Sequence, residues 1–178
     1  MPNLPSKRRI TAKCLVYGGV VFILAVLQST FFAVFRLWGA IPDLLLGAVL
    51  TVAVIEDERA GAVVGVAAGF FVESAGGVGF TVLPLYYMLC GYVCGVCAVY
   101  MLRRNFASWF VYTLIAYISR AAVTLIYMGA TLPELRIITI FFDTLVPEYF
   151  GSLICAVPIY FLTRLCARAF YTKEQLRG

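Results

Sequence analysis

Uncharged apolar runs alternate along the chain with short charged or glycine-rich segments. Long runs occupy residues 14–35, 80–102 and 106–128, and the last of these contains one charge, Arg120. A helix needs about 20 predominantly apolar residues to cross the hydrocarbon core of a bilayer. The pattern therefore predicts a membrane-spanning helix in each of these three places.

Two shorter uncharged runs, residues 44–55 and 60–72, follow the first long one, and four consecutive charges at residues 56–59 separate them. As helices they reach only about 18 to 20 Å, against about 30 Å of hydrocarbon. Two geometries are open: two short tilted crossings, or a re-entrant loop that carries the charges to mid-depth. Because each buried charge costs about 2.5 kcal/mol or more, we predict two crossings, with a turn at the glycine-rich residues 74–79.

The last apolar region is interrupted by Asp143, Pro147 and Glu148, and an uncharged run follows at residues 149–163. Proline suits the first turn of a helix, so we predict that the sixth crossing begins near Pro147. With six crossings and both termini in the cytoplasm, the inner segments hold eleven lysines and arginines and the outer segments hold two, Arg36 and Arg136. This asymmetry is the one that orients membrane proteins.

Composition agrees with this interpretation, since 63% of the 178 residues are hydrophobic and 13% are charged. We predict an all-α integral membrane protein, a six-helix transmembrane bundle with short second and third helices. Residues 14–166 form its one domain, between cytoplasmic tails at 1–13 and 167–178. The net charge is +5, and the basic residues lie beside apolar spans. This placement favours binding to anionic lipid headgroups over binding to nucleic acid.

Few residues of the chain suit catalysis or a cofactor. It has no histidine, and it contains no nucleophile elbow or phosphate-binding loop. Cys90, Cys94 and Cys97 have the C-x3-C-x2-C spacing of some iron–sulfur sites. They lie inside an apolar span, where cysteine behaves as a small hydrophobe, so we interpret them as packing residues. We predict a protein that is not an enzyme and holds no metal or cofactor.

Arg120 is the strongest polar signal, because an arginine deep in a span must face the bundle interior and pair with an acid. The adjacent segment offers two acids, and two more lie at the ends of the short hairpin. The pair either fixes helix register or belongs to a ligand or partner pocket, and the sequence leaves both open. The predicted buried polar cluster comprises Arg120, Glu73, Asp43, Asp143, Glu148 and Gln28.

Gly61, Gly65 and Gly69 repeat every four residues in the third run. This spacing places them on one helix face, where they form a groove that another backbone can approach closely. The groove packs either inside the bundle or against a partner's single helix, and self-association is also left open.

Three motifs carry a family resemblance: LQST at residues 27–30, PDLLL at 42–46, and the glycine helix ending GFFVESAGGVGF. Together they resemble the rod shape-determining protein MreD family, small multispanning proteins of the bacterial cytoplasmic membrane. The resemblance covers residues 14–104 by motif and the remainder by length and helix pattern. The family usually has an aspartate after the glycine helix, where this chain has Glu73.

The resemblance implies a non-enzymatic scaffold of the cell-elongation machinery. Such a scaffold binds the bitopic protein MreC, and through it links MreB filaments to the RodA glycosyltransferase and a penicillin-binding transpeptidase. Members of the family are also similar in fold to the S-components of energy-coupling-factor transporters. The alternative function is therefore that of a substrate-binding subunit of a vitamin transporter, with an outward cavity for its substrate.

Overall fold

A computed structural model describes residues 7–34, 41–76, 82–100, 105–131 and 145–168. Every regular element in these ranges is an α-helix, and there are six of them in the described part of the chain. In order they are α1 Lys7–Val34, α2 Leu44–Ile55, α3 Glu58–Gly76, α4 Leu83–Tyr100, α5 Phe106–Thr131 and α6 Val146–Arg168.

The short helix α2 lies at the centre of the molecule and contacts each of the other five helices. Eleven of its twelve residues are buried, and only Ile55 at its end is partly exposed. Its sequence, LLLGAVLTVAVI, has no charged side chain that would need water. Because its neighbours cover all of it but Ile55, α2 does not have to match the thickness of a bilayer by itself.

The hairpin of α2 and α3 agrees with the predicted short runs, but α3 is longer than its uncharged run. It begins at Glu58, whose negative charge suits a helix N-terminus, and it continues through Gly76. The predicted turn at residues 74–79 is therefore wrong for its first three residues, and the other three lie outside the described ranges. The Ser74 hydroxyl donates to the Phe70 carbonyl at 2.7 Å, which satisfies it within the helix.

Three helices contain stretches long and apolar enough to cross a membrane, among the residues that the structure describes. These stretches are Leu83–Tyr100, Phe106–Tyr127 and Val146–Ala167. Large apolar side chains cover their outward faces, for example Leu89, Ile118 and Leu165, each more than half exposed. Contiguous apolar surface of this kind marks a face that contacts lipid or other proteins.

Helix α3 packs closely on α4 through glycines on both helices. A Cβ atom on Gly65 would lie 2.5 Å from the Tyr87 carbonyl oxygen, and one on Gly61 would lie 2.7 Å from that of Gly91. Gly69 lies equally close to the backbone of Pro84. The groove predicted from the glycine repeat thus faces a helix of this same chain.

Replacing Gly65 with leucine should destabilise the protein by about 3 kcal/mol, because the new side chain meets backbone atoms that cannot move aside. Thermal unfolding in detergent, followed by size-exclusion chromatography, measures the loss. Gly18→Leu is the matched control, since a Cβ atom at Gly18 has nothing within 4 Å. Equal stability of the two variants would contradict the close packing of α3 on α4.

Candidate functional site

Asp43 directly precedes α2 and caps its first turn. Its Oδ1 atom accepts a hydrogen bond from the Leu46 N–H at 3.3 Å, so the carboxylate satisfies one of the free donors at the helix start. The residue is 1% exposed. A carboxylate this deeply buried requires a cation or several hydrogen-bond donors around it.

Arg120 supplies that cation from α5. Its guanidinium forms an ion pair with Oδ2 of Asp43, and the arginine side chain is 12% exposed. The Tyr87 hydroxyl on α4 joins both partners, because it donates to Asp43 Oδ2 at 2.5 Å and accepts from Arg120 Nη1 at 2.7 Å. The centre of the site is therefore a triangle of carboxylate, guanidinium and phenol.

The backbone around Asp43 is bound by side chains from three further places. Its N–H donates to the Ser152 hydroxyl on α6 at 2.7 Å, and its carbonyl accepts from the Tyr117 hydroxyl on α5 at 2.7 Å. The Leu44 N–H donates to Gln28 Oε1 on α1 at 3.0 Å. Side chains of α1, α4, α5 and α6 thus all bind the start of α2.

Glu148 lies at the edge of this cluster, in the first turn of α6. Its Oε1 atom is 4.0 Å from Arg120 Nη2, at the outer limit of an ion pair, and its side chain is 20% exposed. The Ser152 hydroxyl donates to the backbone carbonyl of Glu148 at 2.6 Å, not to its carboxylate. Arg120 therefore faces two acids but contacts only Asp43 closely.

The structure brings four members of the predicted polar cluster together: Arg120, Asp43, Glu148 and Gln28. Glu73 lies partly buried on α3, and the ion pairs of Arg120 in the described part of the chain do not include it. Asp143 lies outside the described residues. The sequence left the partner of Arg120 open among the four acids. The close contact belongs to Asp43, 77 residues away in sequence, and Glu148 of the adjacent segment lies at 4.0 Å.

Sequence reasoning missed Tyr87, Tyr117 and Ser152. With eleven tyrosines in the chain, no single one stood out, and serine in a helix is as often bonded to its own backbone. One signal was available at Asp43, since an acid just before an uncharged run is the pattern of a helix N-cap.

The cluster is built to hold helices together. Asp43 Oδ2, the Tyr87 hydroxyl and Arg120 Nη1 bind one another across helices, and the Ser152 hydroxyl, a conceivable nucleophile, donates to the Glu148 carbonyl of its own helix. Cys94 lies buried on α4, with its Sγ atom 4.0 Å from the Leu50 carbonyl oxygen. In the described part of the chain, no three histidine, cysteine or acidic residues are arranged to hold a metal ion.

A cleft of about 440 Å³ opens between α5 and α6 beside the cluster, and we call it the α5–α6 cleft. Its wall is almost entirely apolar, apart from the two tyrosines that border it. The lining residues are Leu114, Tyr117, Ile118, Ala121, Ala122 and Leu125 from α5, and Leu145, Val146, Tyr149, Phe150 and Leu153 from α6 and the residue before it.

The chain matches no protein-family model, and neither a curated protein nor a solved structure matches it. The resemblance to the MreD family therefore stands on the three motifs, of which PDLLL contains Asp43 and LQST contains Gln28.

Arg120→Leu should lower the free energy of unfolding by about 3 to 5 kcal/mol, because it leaves the Asp43 carboxylate buried without a cation. Adding Asp43→Asn should restore part of that loss, since asparagine keeps an oxygen for capping α2 but carries no charge. Thermal unfolding of the single and double variants in one detergent gives both numbers. Glu73→Gln is the control, and an equal loss in that variant would show that Arg120 acts through general electrostatics.

Ser152→Ala should destabilise the protein by about 1 to 3 kcal/mol, because the buried N–H of Asp43 loses its acceptor. Ser29→Ala serves as the comparison, since the exposed Ser29 hydroxyl bonds only to a carbonyl of its own helix. We expect a change below about 0.5 kcal/mol there. The same unfolding assay measures both variants. Equal losses of stability in Ser152→Ala and Ser29→Ala would contradict a role of Ser152 in holding α2.

Proposed function

We propose that the chain is a six-crossing protein of the bacterial cytoplasmic membrane, with both termini in the cytoplasm. Three long apolar helices that could span a membrane support this proposal, as does the further apolar stretch Leu15–Phe31 in α1. Helix α2 is short for a crossing, but the other helices enclose it. A short helix of this kind can lie within the bilayer when longer, tilted neighbouring helices span the bilayer and surround it.

Within that membrane we propose a non-enzymatic scaffold of the cell-elongation complex. The chain would bind MreC and so help to couple MreB filaments to RodA and its penicillin-binding transpeptidase. One observation carries this proposal: Asp43 of the PDLLL motif is the residue to which α4, α5 and α6 are bound. The family's motif thus coincides with the contact that fixes the arrangement of the helices.

The glycine helix supports the same interpretation. Its groove is filled by α4, so its role is to rigidify the bundle, and a partner must bind elsewhere. The outward apolar faces of α4, α5 and α6 are available for a single membrane-spanning helix. A scaffold needs such a surface on a rigid body, because affinity depends on preorganised contacts and not on area alone.

The alternative, an S-component-like substrate-binding subunit, is favoured by the α5–α6 cleft. Its volume lies in the range of small-molecule sites. However, such sites combine apolar walls with a few polar groups that orient the ligand, and this wall is almost entirely apolar. Native mass spectrometry of the purified protein tests this alternative, since a vitamin carrier retains a stoichiometric small molecule.

Co-expression with the MreC protein of the source bacterium should yield a stable complex that copurifies in mild detergent. The Gly65→Leu variant should lose that complex, whereas Gly18→Leu should keep it, because only the first disturbs the packing of the bundle. A tagged single-span protein of unrelated sequence controls for hydrophobic adhesion. A well-folded wild-type protein that captures no MreC would refute the scaffold proposal.

A further inference from the structure

The α5–α6 cleft runs parallel to the two helices that form it. On α5 the lining residues follow one stripe from Leu114 to Leu125, and on α6 they follow a matching stripe from Val146 to Leu153. Their spacings of three and four residues place each stripe on one face of its helix. The stripe on α5 covers eleven residue steps, so the cleft is about 16 Å long. Because both helices are proposed to span the membrane, the cleft is directed across the bilayer.

The cleft is narrow for its length. Its volume of about 440 Å³, divided by about 16 Å, gives a mean cross-section of about 27 Å². A helix with its side chains is about 10 to 12 Å across and so occupies about 80 to 110 Å². A partner helix can therefore rest on the rims of the cleft but cannot enter it. The shape fits an unbranched chain without bulky side groups.

The polar groups that border the cleft are already bound. The Tyr117 hydroxyl donates to the Asp43 carbonyl, and the Tyr149 hydroxyl is hydrogen-bonded to the Thr124 side chain. The other nine lining residues have only hydrocarbon side chains. Water does not order in an apolar space of this kind, and the lining atoms lose packing contacts if nothing fills it. The chemistry of the wall therefore calls for a hydrocarbon.

We propose that the α5–α6 cleft binds one hydrocarbon chain of a membrane lipid. Its length of about 16 Å matches the depth of one leaflet, which is about half of the 30 Å hydrocarbon core. In the proposed orientation the end formed by Leu125 and Leu145 lies on the outer side, so the chain belongs to a lipid of the outer leaflet. This inference rests on the membrane location proposed above and not on the scaffold role.

The bound chain packs against the cluster that holds α2. The rings of Tyr117 and Tyr149 line the cleft, and their centres are 6.0 Å apart. The hydroxyl of Tyr117 points away to the Asp43 carbonyl. A chain that fills the cleft limits the movement of the Tyr117 ring and so supports this hydrogen bond. The lipid thus stabilises the same arrangement of helices that the Asp43 cluster fixes.

The segment 132–144, which joins α5 to α6, is too wide to be the occupant. To fill the cleft it would run about 25 Å from Thr131 to the level of Leu114, and return about 12 Å from Leu153 to Leu145. Thirteen residues span at most about 47 Å, so it would enter as two nearly extended strands. Each strand with its side chains occupies about 5 by 10 Å, which exceeds the cross-section of the cleft.

Native mass spectrometry of the full chain, purified in mild detergent from bacterial membranes, tests the inference. We expect one phospholipid per chain, with a mass that does not change when the detergent is exchanged. Ala122→Trp fills the cleft from its exposed rim. It should lower the retained lipid about tenfold, because the indole ring and the lipid chain compete for one space. Ile115→Trp is the matched control and should retain lipid, since Ile115 is exposed on α5 outside the cleft.

Thermal unfolding provides a second measurement on the same proteins. Adding phosphatidylglycerol with long acyl chains to the delipidated wild type should raise its unfolding temperature by about 5 °C, because a ligand of the folded state stabilises that state. Ala122→Trp should lose most of this gain, and Ile115→Trp should keep it. Equal gains in the two variants would indicate an unspecific effect of lipid and overturn the inference.

Other occupants give results of their own, and each of these would overturn the inference. A chain that retains no lipid and that Ala122→Trp destabilises fills its own cleft. A dimer that Ala122→Trp dissociates has a second copy at this face. A small polar molecule in place of the phospholipid would support the transporter-subunit alternative.

Failure of the proposed function is recognised separately. If the chain retains lipid as described but captures no MreC, the scaffold role fails and the lipid site is supported. If the chain is recovered in the soluble fraction of lysed cells, the membrane location fails and the lipid site fails with it.

Discussion

The contact between Asp43 and Arg120 is the constraint on which the arrangement of the helices depends. A buried charge pair is rarely the cheapest way to stabilise a protein, because desolvation offsets much of the attraction. Its advantage is specificity, since each charge has one satisfactory position for its partner. Here the acid also caps α2, and its backbone N–H and carbonyl are bound by Ser152 and Tyr117. The position of α2 relative to α5 and α6 is thereby fixed by direction-dependent bonds, which apolar packing alone would not provide.

Tyr87 connects this polar centre to the glycine interface. Its backbone carbonyl lies against Gly65 of α3, whereas its hydroxyl binds Asp43 and Arg120 at the start of α2. Tyr87 therefore takes part in both features, through its backbone in the close packing of α3 on α4 and through its hydroxyl in the charge pair. A shift of α4 away from α3 would move the Tyr87 hydroxyl and weaken the bonds to both charges. The two features that the sequence shows as separate patterns act as one unit in the structure.

Local sequence patterns predicted the positions of the helices better than they predicted the contacts between helices. The bounds of α2 follow from its uncharged run and its capping acid, and the glycine repeat shows which face of α3 is packed closely. The end of α3 was misjudged because Ser74 and the residues after it have turn composition, while the helix satisfies the serine by a bond to Phe70. The partner of Arg120 could not be read from the sequence, since four acids had suitable positions and the choice depends on how α2 folds between α5 and α6. Tyr117 and Ser152 bind backbone atoms of Asp43. Because every residue has such atoms, no complementary residue type in the sequence points to these two contacts.

An apolar exterior, and a few polar groups buried in an otherwise apolar interior, follow from the same physics when the surroundings are lipid. Apolar side chains facing lipid distinguish poorly between one helix arrangement and another, because lipid and helix surfaces are alike. The information that specifies the arrangement must then lie in small residues and in polar groups inside the bundle, as at Gly65 and Asp43.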